Sequence, residues 1–150
     1  MIDKQYLAGL LDGEGFVGIT FPHKNNYIIP QVAIGLGRKE VNRELLKQIA
    51  QEYDGWYSVN CRNLPKVIWG NRKAKKLLKL IFPYVYIKKQ NIIFIDKILR
   101  LVDEGNYENA NIEINNLRQL SNPHRGRKYG LRFLDTNNKK KIKSRPLGIF

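Results

Sequence analysis

A single carboxylate at the end of a short apolar segment is the strongest sign of chemistry in this 150-residue chain. The segment is Leu7–Gly15. Its leucines follow the i, i+3, i+4 spacing of one buried helix face, and Gly9 and Gly13 lie on a different face. Each glycine inside a helix costs about 1 kcal/mol relative to alanine, so the pair indicates close approach by a second helix. Glu14 falls at the helix C-terminus, where the helix dipole disfavours a lone carboxylate.

Two such helices packed through their glycine faces would bring two Glu14 carboxylates together. Like charges at short range repel, and a hard divalent cation relieves that repulsion. Paired carboxylates sharing Mg²⁺ beside a phosphate suit phosphodiester hydrolysis, with a metal-activated water as the nucleophile. The alternative is an ordinary helix and a glycine-rich turn with an acid facing solvent. That alternative explains any one of these residues better than it explains the whole run.

The run Leu7–Gly15 resembles the LAGLIDADG motif of homing endonucleases across all nine positions, with Leu11 for Ile, Gly13 for Ala and Glu14 for Asp. The resemblance implies that Glu14 binds the catalytic divalent metal and that the Gly13 carbonyl helps to complete its coordination sphere. The implied metal is Mg²⁺, with Mn²⁺ as a substitute and Ca²⁺ as a non-productive ion. Paired motif helices would form the interface between two halves, and Asp12 would have a structural or helix-interface role. The candidate interface residues are Leu7, Ala8, Gly9, Asp12 and Gly13.

The resemblance also implies a basic or polar pocket that orders water around the scissile phosphate. Lys88 is the candidate lysine by its position relative to the predicted strands and helices. Lys89 is an alternative, because the chain is shorter here than the resemblance requires, and a solvated lysine is the other alternative for Lys88. Arg38, at the end of the second predicted strand, is the candidate polar residue. The lone Cys61 and the two isolated histidines indicate neither a disulfide nor a metal site.

Charge is the second strong signal. Lys and Arg number 27 against 13 Asp and Glu, for a net charge of +14, which indicates a polyanionic partner such as nucleic acid. An acidic membrane is a weaker alternative, because neither a basic amphipathic helix nor a membrane-spanning apolar run is evident. Residues 121–150 hold nine basic residues against one acid. We expect a core domain over residues 1–120 and a basic C-terminal extension over 121–150, for which a disordered solubilising tail is the alternative.

The elements that position these residues can be read from apolar periodicity. It predicts a helix, two strands, a helix, two strands and then helices, the order αββαββα. Strand pairs with short turns make an antiparallel four-stranded sheet with helices on one face, an α+β fold. The free, concave face would lie in the DNA major groove, where side chains distinguish all four base pairs. The candidate DNA-binding residues are Thr20, Lys24, Gln31, Ser58, Asn60, Arg62 and Lys66 on the sheet and its turns, and Arg125, Arg127, Lys128, Lys139, Lys140 and Lys141 in the extension.

The chain carries one copy of the motif. Ile98–Gly105 looks similar but lacks the close-packing glycine and places Arg100 in the way. We therefore expect a homodimer that reads a pseudo-palindromic site. The resemblance then implies an intracellular Mg²⁺-dependent homing endonuclease, from a prokaryotic cytoplasm or an organelle, that makes a double-strand break with short 3′ overhangs. An intron RNA maturase, which would add RNA as a partner, and a non-cleaving DNA-binding protein stay open as alternatives.

Overall fold

The computed structural model of this chain describes residues 1–21, 28–121 and 148–150. Lys24 and the candidate DNA contacts of the extension lie outside these ranges. The predicted order αββαββα followed by helices is confirmed, and the fold class is α+β. The elements are α1 (Lys4–Glu14), β1 (Gly15–Thr20), β2 (Ile29–Gly35), α2 (Glu40–Glu52), β3 (Trp56–Val59), β4 (Pro65–Gly70), α3 (Asn71–Ile81), a 3₁₀ helix (Phe82–Tyr84), α4 (Lys89–Asp103) and α5 (Tyr107–Ser121).

The four strands form one sheet with the order β1-β2-β4-β3. The central strand β4 pairs antiparallel with β2 on one side and with β3 on the other. Burial alternates along β2 and β4, because successive side chains of a strand point to opposite faces of the sheet. The buried face carries Val32, Ile34, Val67 and Trp69. The alternate residues of the same strands are half-buried or exposed and form the open face of the sheet.

The contacts of the chain divide it into two compact units. The first comprises Met1–Val17 and Gln31–Lys89, and the second comprises Gly18–Pro30 and Gln90–Phe150. The predicted division at residue 121 stays a prediction, because residues 122–147 are outside the described ranges.

In the first unit, α2 and α3 both contact β4, and α3 also contacts α1. Trp69 is the largest fully buried side chain, and its indole N–H donates a 2.8 Å hydrogen bond to the Tyr53 carbonyl at the end of α2. Gly55 precedes β3 where a Cβ atom would stand 2.4 Å from a Val67 methyl and 2.8 Å from the Trp69 ring. Only glycine fits there without displacement, so the entry to β3 is held closely against the core.

The start of α1 is attached to the end of α2. The Ile2 amide donates to a Glu52 carboxylate oxygen at 2.6 Å, and the Tyr53 hydroxyl donates to the Ile2 carbonyl. Hydrogen bonds from the Gln48 side chain and then from the Ile2 amide lower the pKa of Glu52, and burial raises the pKa of Tyr53. Asp3 caps α1 by accepting from the Gln5 amide at 2.6 Å. These contacts set where α1 begins and therefore where its far end lies in the first unit.

The second unit is centred on the apolar faces of α4 and α5, which bury Ile95, Ile98 and Ile114. The last residues of the chain contact α4. Ile149 is 5% exposed, and its amide donates to the Asp96 carboxylate at 2.7 Å. In the part of the chain that the structure describes, no helix is long and apolar enough to cross a membrane.

Candidate functional site

Glu14 lies at the point where α1 ends and β1 begins. It is the last residue of the helix and is exposed, and the following Gly15 amide closes the helix by donating to the Leu11 carbonyl. A Cβ atom on residue 15 would stand 2.4 Å from the Leu11 side chain and 2.6 Å from its carbonyl oxygen. The sharp change from helix to strand therefore requires glycine, and it presents the Glu14 carboxylate at the surface.

A groove of about 560 Å³ within the first unit brings Glu14 together with two of the candidate DNA-binding residues. Asn60 and Lys66 line it beside Glu14, although they are far from Glu14 in sequence. The rest of its wall is the end of β2 with the following loop, Gly35–Gly37, and Leu64–Pro65 before β4. The groove thus joins a carboxylate at a helix end to a lysine on the open face of the sheet.

The structure separates Lys88 from Lys89. The Lys88 ammonium donates a 2.6 Å hydrogen bond to the Asp12 carbonyl, in the last turn of α1. The negative end of the helix dipole also stabilises a cation at this position. The Lys89 ammonium instead lies 5.1 Å from the centre of the Phe82 ring. Of the two lysines, Lys88 is therefore the one beside the Glu14 end of α1.

Asp12 makes structural contacts within the protomer. Its carboxylate accepts the Tyr86 amide at 2.7 Å and the Lys88 amide at 2.9 Å. Hydrogen bonds to a charged group contribute about 1.5–3 kcal/mol each, so Asp12 attaches the segment before α4 to the last turn of α1. The sequence around Pro83 predicts a short extended crossing over Tyr84–Lys89. The structure instead has a 3₁₀ helix and a turn here, and the turn brings both amides to one carboxylate.

The predicted dimer-interface residues lie on two different faces of α1. Leu7 and Ala8 are 0% exposed inside the protomer, which corrects their assignment to an interface, because fully enclosed side chains have no surface left for a partner. Gly9 and Gly13 are exposed. Apart from the neighbouring residues and backbone of α1 itself, no heavy atom of the described residues comes within 4 Å of a Cβ atom built on either glycine. Packing among the described residues therefore does not explain why these two positions are glycine.

The open face of the sheet carries its side chains in rows across the strands. Lys66 pairs with Ser58 of β3 and with Gly35 of β2, which makes one row. Gln31 lies on the same face near the other end of β2, opposite Gly70. Two residues that the strand pattern had not singled out, Trp56 and Ile68, share this face. The strand alternation that selects Ser58 would also have selected Trp56, two residues earlier.

The remaining candidates lie at turns and strand ends. Asn60 shapes the β3–β4 turn, because its side-chain oxygen accepts the Arg62 amide at 2.9 Å and the Leu64 amide at 3.0 Å. This turn ends β3 at Val59, two residues before Cys61, where the sequence pattern predicts the strand to end. Arg62 is exposed within it.

Two further candidates flank strand ends. Thr20 ends β1 and is half-buried. Arg38 is exposed in the loop between β2 and α2, next to the groove residue Gly37.

Glu14 and Gly13 offer oxygen donors of the kind that a divalent metal ion takes. Within residues 1–21, 28–121 and 148–150, no three His, Cys, Asp or Glu side chains cluster to hold a metal ion. The Glu14 carboxylate is accessible, and the position of Gly13 at the helix end leaves its carbonyl without an intrahelical donor. Oxygen donors of these kinds are the ligands that Mg²⁺ takes in proteins. Glu14 and Gly13 therefore fit as part of a divalent-metal site, but the described residues of one protomer do not complete such a site.

No protein-family model and no curated protein sequence matches this chain. Solved structures do. The homing endonuclease I-CvuI, in complex with its target in the presence of Ca²⁺, matches with a TM-score of 0.65 at 15% identity over 83% of each chain. The archaeal intron-encoded homing endonuclease I-Vdi141I, complexed with DNA, has a TM-score of 0.65 and 18% identity, covering 85% of this chain and 89% of that one.

A third match is the LAGLIDADG meganuclease I-AabMI bound to uncleaved DNA. Its TM-score is 0.64 at 22% identity, and the match covers 95% of this chain but only 53% of that chain. At these identities the comparisons establish the fold, and the fold is the one that the motif Leu7–Gly15 implies.

Proposed function

We propose that this chain, which has the fold of LAGLIDADG homing endonucleases, is a site-specific DNA endonuclease. It acts as a homodimer that cuts both strands of a pseudo-palindromic target. The observation that carries the proposal is the exposed Glu14 carboxylate at the end of α1, in a groove with Lys66 and on the same helix end as the Lys88 ammonium. An accessible acid that shares a groove with one lysine and a helix end with another suits a phosphate brought in with a metal ion.

The homodimer follows from the glycine face of α1. Gly9 and Gly13 together cost the helix about 2 kcal/mol relative to alanine, and no described residue approaches either Cβ position. A second copy of α1 packed on this face would use the close approach that glycine allows. It would also bring the two Glu14 carboxylates to the same end of the helix pair.

Each residue of the site then has a role in hydrolysis. Glu14 and the Gly13 carbonyl hold the metal, which supplies charge neutralisation and an acidified water when bound; Mg²⁺ is the expected ion, Mn²⁺ a substitute and Ca²⁺ a non-productive one. Lys88 stabilises charge at the scissile phosphate and orders the surrounding water. Arg38, exposed beside the groove, is the second candidate for ordering water around the phosphate. Asp12 positions Lys88 and touches no reacting atom.

The open face of the sheet is the proposed DNA surface. Lys66 and Ser58 in one row, with Gln31 further along β2, offer donors and acceptors to base edges in the major groove. The β3–β4 turn with Asn60 and Arg62 extends this surface, and Thr20 at the end of β1 is a further proposed DNA contact. The net charge of +14 supports the polyanionic partner, since backbone neutralisation supplies most non-specific affinity for DNA.

The experiment that tests the proposal is a cleavage selection on a randomised double-stranded DNA library with Mg²⁺. Wild type should yield a cut, pseudo-palindromic consensus. Glu14→Gln should bind the same consensus with similar affinity and leave it uncut, because the amide keeps the shape and removes the charge that holds the metal. Glu44→Gln, which changes an exposed acid on α2, is the matched control and should cut normally.

Two results would overturn the proposal. Specific DNA retention by wild type without cutting under any divalent ion would favour a non-cleaving DNA-binding protein. Retention of structured RNA in place of duplex DNA would favour a maturase.

A further inference from the structure

An apolar row crosses the open face of the sheet next to the Ser58–Lys66–Gly35 row. Ile68 of β4 pairs with Trp56 of β3 on one side and with Ala33 of β2 on the other. Residues paired across antiparallel strands share one face of the sheet. The buried neighbours Val67 and Trp69 point to the opposite face. The row Trp56–Ile68–Ala33, here called the apolar row, therefore lies on the open face.

The packing of the described residues does not account for the exposure of Trp56. Its side chain is 72% exposed, whereas Trp69 is 1% exposed in the core. Burial of a large apolar side chain stabilises a protein, and Trp56 largely forgoes that stabilisation. Its backbone is nevertheless held firmly, because Gly55 before it leaves no room for a Cβ atom against Val67 and Trp69. An apolar group is therefore presented at a defined place on the open face.

The surroundings of the apolar row favour DNA as its occupant. The adjacent row carries Lys66, and the groove beyond it contains Glu14, so the apolar row is continuous with the proposed DNA surface. The chain's charge of +14 complements a polyanion. In the major groove the C5 methyl group of thymine is the apolar feature among base-edge donors and acceptors.

We infer that Trp56, Ile68 and Ala33 form a reading surface for thymine methyl groups in each half of the DNA target. The inference rests on the proposed function and extends it to the bases selected at one place. The apolar row lies two residues along the strands from the Ser58–Lys66–Gly35 row, which is about 7 Å at roughly 3.3 Å per residue. Base pairs are spaced about 3.4 Å apart. The preferred thymine therefore lies about two base pairs from the pair that Lys66 contacts, on the side away from Glu14.

The test measures DNA-binding affinity and does not depend on cleavage. A consensus duplex is first selected by wild-type protein from a randomised double-stranded library. The thymine positions of that duplex are then replaced one at a time by deoxyuridine, which lacks the methyl group and keeps every hydrogen bond. At one position in each half-site we expect wild type to lose about fourfold in affinity, the equivalent of about 0.8 kcal/mol for one buried methyl group.

A protein variant, combined with these DNA substitutions, completes a double-mutant cycle. Trp56→Ser should bind the thymine and deoxyuridine duplexes equally at that position and keep the discrimination of the consensus elsewhere. Val59→Ser is the matched control, because Val59 is also an exposed apolar residue of β3, at 41%, but lies one residue off the alternation of the open face. Circular dichroism of both variants checks that the sheet is intact.

The outcomes separate this inference from the proposed function. If wild type binds a specific duplex but Trp56→Ser still distinguishes thymine from deoxyuridine at every position, the apolar row does not read methyl groups, and the proposed function is untouched. If wild type selects no duplex DNA at all, both fail. A Trp56→Ser variant that self-associates less than wild type and keeps its base discrimination would assign the row to a protein interface instead.

Discussion

At the scale of single residues, the contacts of Asp12 determine which of the two candidate lysines lies beside the Glu14 end of α1. The Asp12 carboxylate holds two main-chain amides of the segment before α4, and its carbonyl accepts the ammonium of Lys88. Lys89 follows directly in the chain but turns to the Phe82 ring. Neighbouring residues of the same type therefore have different surroundings, and only one of them lies by the Glu14 end of α1.

This difference gives a prediction for cleavage. Lys88→Ala should lower the cleavage rate by about a hundredfold, because one positioned cation near developing charge contributes about that much. Lys89→Ala should change it by less than about threefold, since a surface cation–π contact is worth about 0.5–1 kcal/mol and lies away from the phosphate. Single-turnover cleavage of the selected duplex measures both. Equal losses in the two variants, or a larger loss for Lys89→Ala, would contradict the assignment.

At the scale of elements, α1 has two faces with opposite requirements. One face buries Leu7, Ala8 and Leu11 completely inside the protomer. The other exposes Gly9 and Gly13, where helix propensity alone would favour larger residues. A helix that gives up stability on its exposed face indicates that the face is used outside the protomer, in this proposal by a second copy of α1.

Substitutions of Gly9 should stabilise the protomer and weaken the dimer. Gly9→Ala and Gly9→Leu should each raise the free energy of unfolding of the protomer by about 0.5–1 kcal/mol, because both residues favour helix and no described atom meets the added carbon. The same changes should weaken the dimer, with Leu far more damaging than Ala because of its size. Sedimentation equilibrium gives the dimer constant, and denaturant unfolding of dilute protein gives the stability. A Gly9→Leu variant that dimerises like wild type would refute the proposed interface.

At the scale of the whole molecule, charge is distributed unevenly along the chain. Residues 121–150 carry nine basic residues and one acid. The segment is bounded by α5, which ends at Ser121, and by Ile149, which is buried and bonded to Asp96 in the second unit. Removing residues 121–150 would therefore remove core contacts together with charge, so charge substitution is the cleaner experiment.

The prediction for this basic segment concerns salt dependence. Replacing Lys139, Lys140 and Lys141 by Gln should weaken DNA binding about equally for the consensus and for unrelated duplexes, because phosphate contacts carry no sequence information. The slope of log affinity against log salt concentration should fall by about 0.9 for every phosphate that these lysines cease to neutralise. Binding titrations between low and high salt measure the slope. An unchanged slope would show that these lysines do not neutralise DNA phosphates.

The sequence by itself determined the order of the elements and singled out the segment Leu7–Gly15. Apolar spacing is a local property, so it located α1 and the two strand pairs, and the alternation along β4 separates Lys66 from Val67 on opposite faces. Glu14 stood out for the same reason, since a carboxylate at a helix end after two glycines can be recognised within nine residues.

Only the tertiary structure decided which distant residues share the site. The contacts of Asp12 with Tyr86 and Lys88 span 74 and 76 residues, and local periodicity says nothing about such pairs. The burial of Leu7 and Ala8 also had to come from the fold, because a motif shows that several helix faces are apolar or small without showing which face the protomer itself covers. The apolar row depends on the register between β2, β3 and β4, which the pairing of whole strands sets.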